Sequence, residues 1–162
     1  MQTGARYQAV LEILTEVFQD KTPADKIIND YLRQKKYIGS KDRRFITDMV
    51  WHIIRNRQKL EFDTQSSDVR RILLYANKDK ISEIFDDSKY GLSSLTDEEK
   101  SWLSQENEEP YPDYVETECP KWLFEKIKNI DFCKALNQTA TTDIRTHGII
   151  RAELQQKLEA EG

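Results

Sequence analysis

The stretch Ser40-Lys41-Asp42-Arg43-Arg44-Phe45-Ile46-Thr47-Asp48-Met49-Val50-Trp51-His52-Ile53-Ile54-Arg55-Asn56-Arg57-Gln58-Lys59 decides how the chain is read. Its apolar residues Phe45, Ile46, Met49, Val50, Ile53 and Ile54 recur every three or four positions, the spacing that lines one side of an α-helix. Ser40 stands where an N-cap belongs, so the pattern predicts one long helix from Ser40 to about Lys59. At roughly 100° per residue, Arg44, Trp51 and Arg55 fall opposite the apolar arc, with Asp48 between them and Lys59 nearby. Arg57 falls inside the arc, which favours a structural ion pair, with Asp30 or Glu16 as partner.

Upstream, Tyr7, Val10, Leu11, Leu14, Val17 and Phe18 give residues 5–18 the same periodicity. Thr22-Pro23 reads as an N-cap followed by proline at the first helical position, opening a helix that carries Ile27, Ile28, Tyr31 and Leu32. A basic connector, Gln34-Lys35-Lys36-Tyr37-Ile38-Gly39, joins it to the helix at Ser40. Downstream, Ser67–Asn77 reads as a helix and Ile81–Phe85 as one helical turn. Thr96-Asp97-Glu98-Glu99 has the capping-box spacing and should start a short helix with Trp102 and Leu103 inside. Residues 105–118 are polar and acidic with two prolines and read as an exposed linker. Pro120 opens a further helix, with a break before Phe132. Residues 141–147 hold β-branched residues in partial alternation and predict a short strand, followed by an amphipathic helix over 149–160. The expected fold is therefore mainly α: a helical bundle over 1–105, an acidic linker over 106–119, and over 120–162 a helix plus an incomplete α/β unit.

Composition narrows the function classes. Residues 1–61 hold 12 Lys/Arg against 8 Asp/Glu, and residues 62–118 hold 6 against 15, so the net charge of −4 conceals a basic front and an acidic middle. No apolar run approaches the roughly 20 residues of a membrane span. The N-terminus carries no apolar signal core, which points to the cytoplasm. Cys119 and Cys133 share no CxxC pairing with each other or with the two histidines, and they read as ordinary thiols rather than a metal site or disulfide. The five glycines are isolated, so no phosphate-cradling loop is visible, and no spacing supports a nucleophile with its base.

Two readings fit the Arg44–Trp51–Arg55 stripe. In one, the arginines neutralise phosphates while the indole stacks on a base. In the other, Trp51 packs under a neighbouring element and the arginines are merely solvated. Arg33, Lys35, Lys36, Lys41, Arg43 and Arg44 gather within twelve residues, either as a phosphate-contacting patch or as a solvated charge run. Arg6, on the border of the first helix, fits either role.

Several segments taken in order resemble a known family. Ala5-Arg6, Thr22-Pro23-Ala24, Tyr37-Ile38-Gly39-Ser40-Lys41-Asp42-Arg43-Arg44 and Trp51-His52-Ile53-Ile54-Arg55-Asn56-Arg57 resemble the N-terminal region of the Sun family of bacterial RNA cytosine-5 methyltransferases. That region is similar to the all-helical RNA-binding factor NusB. Tyr90-Gly91-Leu92, Leu95-Thr96-Asp97-Glu98-Glu99 and Cys119-Pro120-Lys121-Trp122-Leu123 follow in the family's order. Residues 140–145 with Arg151, Leu158 and Gly162 look like the start of its small α/β subdomain. The resemblance implies a parent enzyme that uses S-adenosylmethionine and a cysteine nucleophile on rRNA. The segment carrying its cofactor loop and Pro-Cys motif is expected beyond residue 162, so this chain holds no cofactor of its own. The expected partners are RNA, through Arg6, Arg33, Lys35, Lys36, Lys41, Arg43, Arg44, Trp51 and Arg55, and the methyltransferase domain. A stand-alone NusB-like antitermination module and a helical protein-interaction module are the alternatives.

Overall fold

A computed structural model describes residues 1–85, 89–105, 107–140 and 145–161, with only the backbone at residue 161. The first three helices follow the apolar periodicities. In α1 (Thr3–Gln19), Tyr7, Val10, Ile13 and Leu14 are buried on one side. In α2 (Ala24–Gln34) the buried side is Ile27, Ile28 and Leu32, and in α3 (Ser40–Arg55) it is Ile46, Val50 and Ile53. α1 is the centre of the bundle: it packs most extensively on α3 and also touches α2, α5 (Val69–Tyr75) and α6 (Ile81–Ile84). Ile72 and Leu73 of α5 and Ile84 of α6 close the core. The buried Asn77 amide is satisfied within it, accepting from the Tyr7 hydroxyl at 3.3 Å and donating to the Leu73 carbonyl at 2.9 Å.

The starts of these helices differ in part from expectation. Thr22 does not cap α2. Its backbone N–H instead donates to Asp20 Oδ1 at 3.1 Å, a local turn that sets Pro23 at the helix entrance. Ser40 is already helical and Gly39 occupies the cap position without a side-chain bond. Asp68 caps α5 through the Arg71 N–H at 2.8 Å. The capping box is present as expected: Thr96 Oγ1 accepts from the Glu99 N–H, and the Glu99 carboxylate accepts from the Thr96 N–H, at the head of α7 (Asp97–Leu103). Glu99 also pairs with Arg70 of α5 at 2.6 Å, joining the two helices. Trp102 and Leu103 of α7 are half-buried. The indole of Trp102 lies against Tyr75.

The long third helix is two helices. α3 stops at Arg55 and α4 (Arg57–Thr64) starts after Asn56, whose backbone sits at φ −106°, ψ 19°. Asparagine competes with the helical backbone through its own amide, and here Asn56 Nδ2 donates to the His52 carbonyl at 2.8 Å. The break releases N–H groups at the start of α4. Glu118 takes two of them: its carboxylate oxygens accept from the Gln58 and Lys59 N–H groups, both at 2.9 Å. A side chain about sixty positions away thus caps α4. Glu118 itself is in the left-handed region, φ 52°.

That contact corrects the reading of 105–118 as an exposed linker. The segment contains α8 (Asp113–Glu116) and runs along α4, burying Val115 and Thr117. Tyr111 packs edge-on to Phe62 at 5.4 Å and donates its hydroxyl to Asp63 at 2.8 Å. Asn107 Nδ2 reaches the Phe62 carbonyl at 3.1 Å. Glu108, Glu109 and Asp113 face solvent, while Tyr111, Val115, Thr117 and the inward-turned Glu118 carboxylate supply the contact.

Beyond it, α9 (Lys121–Ile127) ends at Lys128, φ 51°, and α10 (Ile130–Leu136) is capped by Asn129, which accepts from the Phe132 N–H at 2.9 Å. The final helix, α11, spans Arg151–Glu161 and follows Gly148, φ 76°. The strand expected over 141–147 lies largely outside the described residues. Residues 145–147 are irregular, and there is no strand among the described residues. The incomplete α/β unit is therefore not supported: among the described residues the C-terminal segment is helical, and a lone strand would have no ladder to join.

Candidate nucleic-acid interface

The nine residues singled out by sequence divide into three groups. Arg6, Lys35 and Arg43 are held by the fold. Arg6 Nε lies 2.7 Å from Asp42 Oδ1 with its guanidinium 5.6 Å from the Phe45 ring centre, while the N-terminal ammonium meets Asp42 Oδ2 at 2.8 Å. Asp42 is buried, and its bond to the N-terminal ammonium, with Arg6 beside it, holds its carboxyl below the usual range. Arg43 Nε donates to the Ile38 carbonyl at 2.8 Å, which closes the connector between α2 and α3. Lys35 Nζ donates to Glu12 at 2.8 Å and sits 4.3 Å from the Tyr31 ring centre. The bond to Glu12, then that to Tyr31, pushes the Lys35 ammonium up. Burial pushes the Tyr31 phenol up to about 12.

Arg33, Lys36, Lys41 and Arg44 form the second group and stand in solvent around the same connector. Arg44 keeps a 3.8 Å contact with Asp48, but its side chain is 87 % exposed, so the pair is weak and easily exchanged for another anion.

Trp51 and Arg55 form the third. Of their sequence alternatives, the structure shows partial packing of the Trp51 ring. The Trp51 ring is half-buried and rests on the core, and the Arg55 guanidinium lies 5.7 Å from its centre. The two line a cleft of about 560 Å³ together with Asp48, His52, Asn56, Asn137 and Thr139. Asn137 comes from the end of α10 and donates to the Arg55 carbonyl at 3.0 Å, so the C-terminal segment builds one wall. His52, Asn56 and Asn137 were not singled out by sequence. His52 and the α3 C-cap Asn56 are one helical turn apart, but Asn137 is eighty-two positions from Arg55 and only the fold unites them. An indole, a guanidinium and carboxamides around one cleft suit a flat heteroaromatic ring with hydrogen-bonding edges. Arg57, expected to pair with Asp30 or Glu16, pairs instead with Glu61 at 2.8 Å and stacks on Phe18 at 3.9 Å. The α3–α4 break turns it toward its own helix.

Sequence also left Cys119 and Cys133 unrelated. Both are buried, and they line one small cavity together. Burial first, then the Cys133 contact, pushes the Cys119 thiol up to about 11, which suppresses the thiolate. No group of three or more His, Cys, Asp and Glu residues is arranged to hold a metal among the described residues. No helix among the described residues is long and apolar enough to cross a membrane. Comparison with protein-family models, with curated proteins and with solved structures finds no match.

Proposed function

We propose that the chain is the RNA-binding and substrate-positioning region of an S-adenosylmethionine-dependent rRNA cytosine-5 methyltransferase acting in the cytoplasm. The observation that carries the RNA part is the cluster of exposed cations Arg33, Lys36, Lys41 and Arg44 around the start of α3, together with the Trp51–Arg55 cleft toward its other end, in a chain whose overall charge is negative. Phosphates would be met by the cations and one base by the indole. The methyltransferase part rests on the ordered resemblance of the sequence segments. In this reading S-adenosylmethionine and the nucleophile belong to a catalytic domain, which docks on the outward apolar side chains of the C-terminal helices.

The test is binding of fluorescent structured RNA at low and high salt. Binding should fall steeply with salt, and Arg44→Glu with Arg55→Glu should abolish it while the helical circular-dichroism signal is preserved. RNA affinity unchanged by that double reversal would remove this face as the interface. A second reading, a helical protein-interaction module, is favoured by the exposed Trp122, Phe132 and Leu136. Absence of RNA binding at low salt would leave it standing alone.

A further inference from the structure

A concavity larger than the Trp51 cleft lies elsewhere on the bundle. It is a groove of about 1090 Å³ over the outer side of α1, where Ala5 and Ala9 leave room between the end of α2 and the loop that follows α6. Its size exceeds the roughly 300–1,000 Å³ of small-molecule pockets. Tyr37 on the α2–α3 connector and Tyr90 in the loop flank it, and they are 72 % and 69 % exposed. Neither phenol ring is covered, although each carries enough apolar area to favour burial. The charged groups lining the groove among the described residues are Lys35, Arg70, Lys89 and the N-terminus against one carboxylate, Glu12. Asp42 and Glu99, which pair with the N-terminus and Arg70, do not line it. Lys89 lies 5.5 Å from the Tyr90 ring centre and has no carboxylate partner among the described residues. Lys35 turns its ammonium to Glu12 and Tyr31, leaving one of its three donors for another acceptor.

We propose that this groove is a track for single-stranded RNA, with one base stacked on Tyr37, another on Tyr90, and phosphates met by Lys89 and Lys35. The occupant is anionic because Lys89 has no carboxylate partner among the described residues and the Lys35 ammonium keeps a donor beyond Glu12, whereas the N-terminus and Arg70 are already paired with Asp42 and Glu99. It is single-stranded because a phenol ring reaches a base face only when that base is unstacked from its duplex. The inference rests on the RNA-binding reading above and adds a second contact region separate from the α3 face, so a bound strand would pass from the groove across the basic connector to the Trp51 cleft.

Fluorescence anisotropy with a single-stranded RNA oligonucleotide, a blunt RNA duplex and a poly-glutamate peptide tests it on the full chain. Wild type should prefer the single strand. Tyr37→Ala and Tyr90→Ala should each weaken that binding by about 5- to 150-fold, and Tyr37→Phe and Tyr90→Phe should restore it, because stacking needs the ring and not the hydroxyl. Both side chains are exposed, so the variants retain the fold. Lys89→Glu should weaken binding and flatten its salt dependence. If the alanine variants bind like wild type while Arg44→Glu with Arg55→Glu abolishes binding, the groove is not part of the RNA surface, although the RNA reading stands. Duplex bound as tightly as single strand also overturns the track. No RNA binding by wild type overturns both, and poly-glutamate binding that is lost with the tyrosines would then assign the groove to an acidic protein partner.

Discussion

The N-terminal bundle and the C-terminal arm are both helical, yet they are held by opposite means. In α1–α6 the apolar side chains interdigitate: Val10, Ile13, Leu14, Ile46, Val50 and Ile53 are fully buried in one cluster. In α9 and α10 several large apolar side chains face outward instead, with Trp122 62 % and Leu136 55 % exposed. The arm's attachment is polar: Glu118 on the α4 N–H groups, Asn137 on the Arg55 carbonyl, and Glu116 between Lys59 and Lys134. Helical periodicity alone therefore does not indicate burial. A short helix with an apolar side needs a facing surface, and the arm turns much of its apolar area away from the bundle.

Substitution should expose the difference most clearly in the core. Leu14→Ala or Ile53→Ala should lower unfolding free energy by about 2–5 kcal/mol, whereas Phe132→Ala and Leu136→Ala should stay within about 0.5 kcal/mol. Denaturant titration of the four variants measures both, and a cost at Phe132 equal to that at Leu14 would break the contrast. Trp51→Ala sits between. Its half-buried ring predicts about half of the roughly 3–5 kcal/mol lost by a fully buried aromatic, readable in the same titration.

Removal of residues 141–162 should barely move the thermal transition of the rest, because α11 contributes no residue to the core cluster. A loss of cooperativity in calorimetry would show that α11 belongs to the bundle after all. The smallest effect is electrostatic. Asp42 is held below its ordinary pKa, so its support of the N-terminus and Arg6 is complete above the usual aspartate value of about 3.9 and is lost as pH falls through the lower folded value. Asp42→Asn should flatten that acid limb of the stability profile, while a matching change at the exposed Asp48 should not. Glu118 has the opposite sign: burial raises its pKa, so its ionised form carries a penalty at neutral pH that is relieved as pH falls through the raised folded value toward the ordinary glutamate range. Glu118→Gln should accordingly remove a penalty at neutral pH while retaining an acceptor for α4.

The bundle was legible because each core helix carries several apolar residues at helical spacing, and the capping box at Thr96 is a local signal that needs no partner. The α3–α4 break was not legible, because Leu60 continues the periodicity of Ile53 seven residues later and so bridges the kink. The candidate interface was half legible. Cation density in the connector is visible in sequence, but whether a given cation is spent internally depends on distant residues: Glu12 on Lys35, Asp42 on Arg6. The same limit hid the Cys119–Cys133 contact and the α10 wall of the Trp51 cleft, since each is a meeting of segments that sequence places far apart.

The capping of α4 by Glu118 also imposes an order in time. As the chain leaves the ribosome, Gln58 and Lys59 emerge sixty residues ahead of the carboxylate that accepts from them. At about 5–20 residues per second, that interval is about 3–12 s. For that period the head of α4 must be served by water, and the bundle built around α1 must assemble with its fourth helix frayed at the start. The nascent protein thus completes its core first and receives the clasp on its outer edge only when the acidic segment arrives, making that segment the closing step of the bundle's assembly rather than a tether between finished parts.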